Sequence, residues 1–291
     1  MRLSFSTNAF TNFSVGEAVT KIGAAGYEAV EILADTPHLY PPEIADEQVG
    51  YLRYCLAQTG LQVANINANT AMGFYGRTFW EPLFEPSLAN PDHQLRRWRI
   101  NYTRQCIDLA VALKAPSVSI TSGRMVPGIP PDKGLKLFKA SMEEVLAHAG
   151  ERGIRLGIEY EPGLLIENHR ELLMFLAAID SPWLGANLDV GHSQVLGENI
   201  PEVIEILGKD IVHLHLEDIS QRKHYHLIPG CGELDFAAIF TALQRGGYDG
   251  YLTVELYTYP HNPEKAARQS LTYLQRIHNN LPKSMENECS S

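Results

Sequence analysis

Four carboxylates and two histidines stand where apolar runs of strand-forming residues stop. Asn187-Leu188-Asp189-Val190-Gly191-His192 ends one run in a carboxylate, with an imidazole three residues later. Leu156-Gly157-Ile158 runs into Glu159 and, two residues on, Glu161; Ile211-Val212-His213-Leu214 runs into His215; Tyr251-Leu252-Thr253-Val254 runs into Glu255. Two or three carboxylates with one neutral imidazole suit a divalent cation and leave room for substrate oxygens. These groups converge only if the four strands lie side by side in one parallel sheet.

The remaining sequence supplies such a sheet. Strand patterns at 2–7, 27–32, 61–66, 117–121, 156–161, 184–189, 211–216 and 251–255 alternate with helical patterns at 15–25, 42–60, 95–113, 132–153, 168–179, 200–207, 235–245 and 263–278. Eight such units with no linker and no shift in composition predict a single-domain α/β fold, a (β/α)₈ TIM barrel over residues 1–282, with 283–291 a polar, disordered tail. In that fold chemistry sits at the C-terminal ends of the strands, where the carboxylates and histidines fall. An open doubly wound sheet calls for a Gly-rich loop after the first strand, and Thr7-Asn8-Ala9-Phe10 is not one. Residues 67–93 interrupt the rhythm with prolines, glycines and the aromatics Phe74, Tyr75, Phe79, Trp80 and Phe84. They read either as a cover over the site that orients substrate through Trp80, or as a surface excursion packed on the barrel.

Composition narrows the classes. With 34 acidic against 24 basic residues and a net charge of -10, the chain lacks the basic footprint of a nucleic-acid binder. No apolar run approaches the length of a membrane span. The chain enters its first strand almost at once, without a signal-type apolar stretch. Cys55, Cys106, Cys231 and Cys289 follow no CxxC spacing and read as free thiols of a reducing, cytoplasmic setting.

Taken with their order, these segments resemble the xylose-isomerase-like barrels, which include sugar isomerases, ketose 3-epimerases and endonuclease IV. The resemblance rests on Leu156-Gly157-Ile158-Glu159, Leu188-Asp189-Val190-Gly191-His192 and His213-Leu214-His215-Leu216-Glu217-Asp218. Pro229-Gly230-Cys231-Gly232-Glu233-Leu234-Asp235 and Gly246-Gly247-Tyr248-Asp249-Gly250-Tyr251-Leu252-Thr253-Val254-Glu255 extend it. It implies one divalent ion, Mn²⁺ preferred with Mg²⁺, Co²⁺ or Zn²⁺ as substitutes, held by Glu159, Asp189, His215 and Glu255. It implies isomerisation or epimerisation of a small sugar or sugar derivative through an enediolate, with Glu159 and Glu255 as the acid/base pair. His192, Glu161, His226, Trp80 and Arg222 would contact substrate.

Several choices stay open. The Leu-x-Ile-Glu pattern favours Glu159 as the ligand and the Glu-Pro pairing favours Glu161; Glu159 is taken. His213, on the same strand face as His215, reads as a satisfied interior residue. His224 and His226 resemble a stretch that binds an additional zinc in endonuclease IV, yet read equally as loop histidines. The ends of the third and fourth strands, Asn65-Ile66-Asn67-Ala68-Asn69 and Thr121-Ser122-Gly123-Arg124, hold no histidine for a three-zinc cluster. Pro37-His38 resembles fructoselysine 3-epimerase-like members, and Arg124, Arg222 and Lys223 leave phosphate recognition open. A metabolite-binding barrel without turnover, a dehydratase using the same site, and self-association of the chain also remain alternatives.

Overall fold

The computed structural model describes residues 1–77 and 82–281. Its parallel strands are β1 (Arg2–Ser6), β2 (Ala29–Leu33), β3 (Gln62–Asn67), β4 (Ser117–Thr121), β5 (Arg155–Glu159), β6 (Leu184–Asp189), β7 (Ile211–Leu216) and β8 (Tyr251–Val254). They pair in sequence order, and β8 pairs back on β1, so the sheet closes into the expected (β/α)₈ barrel with no free edge. Around it lie α1 (Val15–Ala25), α2 (Asp46–Thr59), α3 (His93–Leu113), α4 (Pro131–Arg152), α5 (His169–Ile179), α6 (Val190–Leu196), α7 (Ile200–Leu207), α8 (Phe236–Arg245) and α9 (Pro263–Asn279). Trp80 and the tail 283–291 lie outside the described residues.

Local chemistry explains the boundaries. Ser14 and Glu17 form a reciprocal capping box at the start of α1, and Gly26 ends it in the left-handed region at φ 101°. Asn168 caps α5 through bonds from Arg170 N and Glu171 N. The helix expected over 42–60 is two pieces: a 3₁₀ turn at Pro41–Glu43, then α2. α6 was not anticipated. Asp189 starts it by accepting from His192 N at 2.9 Å, so one carboxylate both ends a strand and caps a helix.

β5 is shorter than expected. Its last rungs pair Glu159 with Thr121 on one side and Asn187 on the other. Beyond them Leu164 N turns back onto Glu161 O at 3.0 Å. Glu161 is therefore the first turn of a loop rather than the last residue of a strand.

Alternation along the strands divides two environments. Leu3, Phe5, Val30, Ile32, Val118, Ile120, Leu156 and Ile158 are buried in the apolar layer beneath the helices. The alternate positions turn into the lumen, which is polar. Asn65 donates to Glu31 at 2.8 Å and to Ser119 at 3.0 Å, and Ser117 donates to Asn65 at 2.8 Å. A dry lumen filled with hydroxyls, amides and acids is stable only when these groups satisfy one another. At the mouth this network meets the carboxylates.

Candidate active site

The four expected ligands come together. Glu159, Asp189, His215 and Glu255 are buried, and each offers one ligand atom, all within 4.8 Å of one another. They project from β5, β6, β7 and the residue after β8, four neighbouring staves of the ring. His215 Nδ1 lies 3.0 Å from Glu159 Oε2, 3.8 Å from Glu255 Oε2 and 3.9 Å from Asp189 Oδ2. Glu159, not Glu161, falls in this group. Glu161 is buried two residues further out, on the cavity wall.

The opposite arc of the mouth supplies amide donors. Asn8, after β1, and Asn67, ending β3, each donate to Glu255 Oε1 at 2.9 Å. Asn69 donates to Glu159 Oε2 at 3.0 Å, and Asn187 donates to the same oxygen. One oxygen of each glutamate is thereby tied down.

Burial and mutual repulsion disfavour charge on several acids of the site. Burial pushes the Glu255 carboxyl up to about 8, with Glu159, Glu31 and Asp189 adding repulsion that His215 only partly offsets. Burial and the adjacent Asp189 push Glu217 well above the usual carboxylate range. Burial disfavours a charged His192, but Asp189, Glu161, Glu159 and Glu255 outweigh it and raise the imidazole to about 9. Asp189 Oδ2, both Glu217 oxygens and His226 Nε2 are buried without a hydrogen-bond partner. Orphaned buried acceptors are costly unless a proton, a water or a cation meets them. The donor set thus fits a divalent cation, and its mixture of carboxylate and imidazole suits Mn²⁺, Mg²⁺, Co²⁺ or Zn²⁺.

Above the cluster opens a cavity of about 470 Å³, large enough for a small sugar and walled by Glu161, His192, His224, His226, Phe84 and Tyr257 among others. His192 donates from Nδ1 to Tyr160 O at 3.0 Å, and His226 from Nδ1 to Glu255 O at 2.9 Å; both rings are positioned by backbone. Burial pushes the Glu161 carboxyl up to about 7, His192 pulling against Glu159 and Asp189.

Arg222, expected as a substrate contact, is not on the wall. Its Nε donates to Val195 O at 3.1 Å, and its guanidinium lies against Gly197, where a Cβ would collide with it. The unsatisfied carbonyls at the end of α6 draw the cation away from the cavity. His38 is structural: it is buried, with Nε2 on Phe10 O at 3.3 Å and Nδ1 on Thr7 Oγ1 at 3.1 Å. His213 lies in the lumen, its Nε2 3.3 Å from Glu31 Oε2.

The described part of the aromatic excursion both lines the cavity and packs on the barrel. Met72, Pro82 and Phe84 line the cavity, while Phe74 packs on Trp98 of α3 at 4.7 Å between ring centroids. Its base is pinned. Asp35 accepts from Thr70 Oγ1, Met72 N and Gly73 N, and the buried Arg99 donates to the carbonyls of Ala68, Asn69 and Thr70.

Sequence reasoning missed Glu31, Glu217 and the asparagines. Glu31 had a signal: an acid in mid-strand between Val30 and Ile32, an inward position. Asn65, Asn67 and Asn69 also recur with period two. Glu217 reaches Asp189 only because residue 191 is glycine; a Cβ there would collide with Glu217 Oε1.

The sequence profile of the xylose isomerase-like TIM barrel family matches residues 19–277. A fructoselysine 3-epimerase of Shigella flexneri is 25% identical over 276 residues, covering 93% of this chain and 96% of its own. A 2-oxo-tetronate isomerase of Pectobacterium atrosepticum is 25% identical over 239 residues, covering 79% and 82%. A crystal structure of a D-tagatose 3-epimerase-like protein superposes with a TM-score of 0.80 at 22% identity, covering 96% of this chain and 99% of that one.

Proposed function

The chain belongs to the xylose isomerase-like TIM barrel family, and from that premise we propose that it is a divalent-metal-dependent epimerase or isomerase of a ketose or ketose derivative. The observation that carries the reading is the gathering of Glu159, Asp189, His215 and Glu255 at the floor of one cavity. These four residues would hold one ion, Mn²⁺ by preference. When bound, the ion acts as a Lewis acid toward substrate oxygens.

The chain's own groups do the rest. Glu159 and Glu255 are the proton-transfer pair. Each has one oxygen held by amides and each lines the cavity, where a carbon-bound proton beside the carbonyl would come within reach. β5 and β8 stand three staves apart in the ring, which lets the two acids flank a bound sugar. One removes the proton and the other returns it, on the opposite face for epimerisation. Asp189 and His215 serve the ion. His192 and Glu161 hold substrate hydroxyls, His226 sits beside them, and Met72, Pro82 and Phe84 keep bulk water from the reacting carbons.

The test is a panel of ketoses and ketose derivatives incubated with the protein and Mn²⁺ in D₂O and followed by NMR. Deuterium enters at the carbon beside the carbonyl, and the exchange disappears in Glu255→Gln. Turnover with full retention of protium contradicts the proton-transfer pair. Loss of water from a polyol ketone makes the protein a dehydratase, and binding without exchange makes it a binding barrel.

A further inference from the structure

His215 faces two ways. Its Nδ1 points at the ligand group, while its Nε2 lies 2.8 Å from Glu31 Oε2. A neutral imidazole offers a lone pair from one ring nitrogen only when the other carries the hydrogen. Some group must therefore choose which nitrogen of His215 is the donor.

Glu31 is placed to choose. It is fully buried on β2, three staves from β7, and its carboxylate crosses the lumen to reach the ring. Asn65 Nδ2 donates to its Oε2 at 2.8 Å and Asn67 Nδ2 to its Oε1 at 3.1 Å, and His213 Nε2 lies 3.3 Å from Oε2. Ringed by N–H groups, the carboxylate can act toward His215 only as an acceptor.

We propose that Glu31 is a positioning residue for His215: it accepts the Nε2–H, and so turns the Nδ1 lone pair toward Glu159, Asp189 and Glu255. It touches neither the substrate nor the ion. The inference rests on the metal reading above, and it extends the site to an acid on the far wall of the barrel. Carboxylates that orient a metal-bound imidazole in this way typically change metal affinity or activity by about 10- to 100-fold when removed.

A competing arrangement makes Glu31 a ligand. Glu31, His213 and His215 also offer atoms within 4.8 Å of one another. Two observations oppose it. Both Glu31 oxygens already accept amide bonds, and His215 Nε2 already has its partner; only His213 Nε2 in that group is without a hydrogen bond.

Zn²⁺, which is diamagnetic, serves as the probe. Histidine ¹⁵N NMR of the wild-type protein loaded with Zn²⁺ shows His215 with Nδ1 on the ion and a hydrogen on Nε2. Glu31→Gln, checked for folding by circular dichroism, binds Zn²⁺ about 10- to 100-fold more weakly in calorimetry, with the His215 signals displaced. Glu31→Asp recovers part of the loss. The proposal is overturned if Glu31→Gln binds as tightly with unchanged His215 signals, or if Nε2 carries the ion in the wild type. A wild type that takes two ions where Glu31→Gln takes one overturns it too, making Glu31 a ligand. Should Glu31→Gln not fold, the wild-type spectrum decides alone. A wild type that binds no divalent ion defeats the metal reading itself, whereas tight binding untouched by Glu31→Gln defeats only the positioning role.

Discussion

The two arcs of the barrel mouth are built from different chemistry. β5 to β8 deliver carboxylates and an imidazole: Glu159, Asp189, His215 and Glu255. β1 and β3 deliver neutral amides: Asn8, Asn67 and Asn69. The charged arc carries the groups proposed to hold a cation and move protons. The amide arc can do neither, but each of its N–H groups fixes one oxygen of an acid opposite. Catalysis by positioned charges needs both, because an unfixed carboxylate loses the geometry that makes it effective. Function is thus divided between the arcs, with Glu31 and Asn187 as the exceptions, an acid among amides and an amide among acids.

The division predicts a graded response to substitution. The largest effect falls on the charged arc. Glu255→Gln lowers kcat by about 10²- to 10⁴-fold with the fold retained, measured on whichever ketose exchanges deuterium. Glu159→Gln behaves alike. If instead Glu161→Gln is dead and Glu159→Gln merely slow, the proton-transfer role belongs to Glu161.

Next comes a stability effect beneath the amide arc. His38 packs under the turn that carries Asn8, where burial lowers its imidazole to about 4, hydrogen bonds to Phe10 and Phe13 only partly opposing. The folded state therefore favours the neutral ring. Its stability is intact above the unfolded value of 6.5, falls as pH drops from there, and levels off only below about 4. The loss is about 3 kcal/mol. Urea melts at pH 7.5 and about pH 4.5 measure it, and the gap between them shrinks by nearly that amount in His38→Gln. An equal gap in both proteins contradicts the assignment.

The amides themselves follow. Asn67→Ala and Asn69→Ala each reduce activity or metal affinity by about 10- to 100-fold, as removal of an orienting partner does. Wild-type values in both would reduce the amide arc to packing. Smallest is the brace behind it. Arg99→Met removes the guanidinium bonds to the carbonyls of Ala68, Asn69 and Thr70 and costs about 2 kcal/mol in a denaturant melt.

The same division explains what could be read without coordinates. Carboxylates at the ends of apolar strands are conspicuous, so the barrel and the charged arc were legible from Glu159, Asp189, His215 and Glu255. In the sequence the amide arc is no more than Asn8 and the stretch Asn65-Ile66-Asn67-Ala68-Asn69. Amides carry no charge, and their value lies in which acid they face across the ring. That is a property of closure and not of spacing. Glu31 was hidden for the same reason: its partner His215 is 184 residues away in sequence. Arg222 misled in the opposite sense, because a cation in the right loop can still be claimed by a helix end. The described part of the aromatic excursion is pinned at its base by Asp35 and Arg99, long-range contacts that composition does not announce. Among the described residues no helix is long and apolar enough to cross a membrane.

The central claim is that the charged arc holds one divalent ion. Mn²⁺ titration of protein purified without chelator, followed by electron paramagnetic resonance and calorimetry, tests it most directly. The account predicts about one tightly bound ion per chain, lost when Asp189→Ala is combined with His215→Ala, since two of the four ligands are then gone. A stoichiometry near zero in the wild type, or the same occupancy in the double variant, contradicts it.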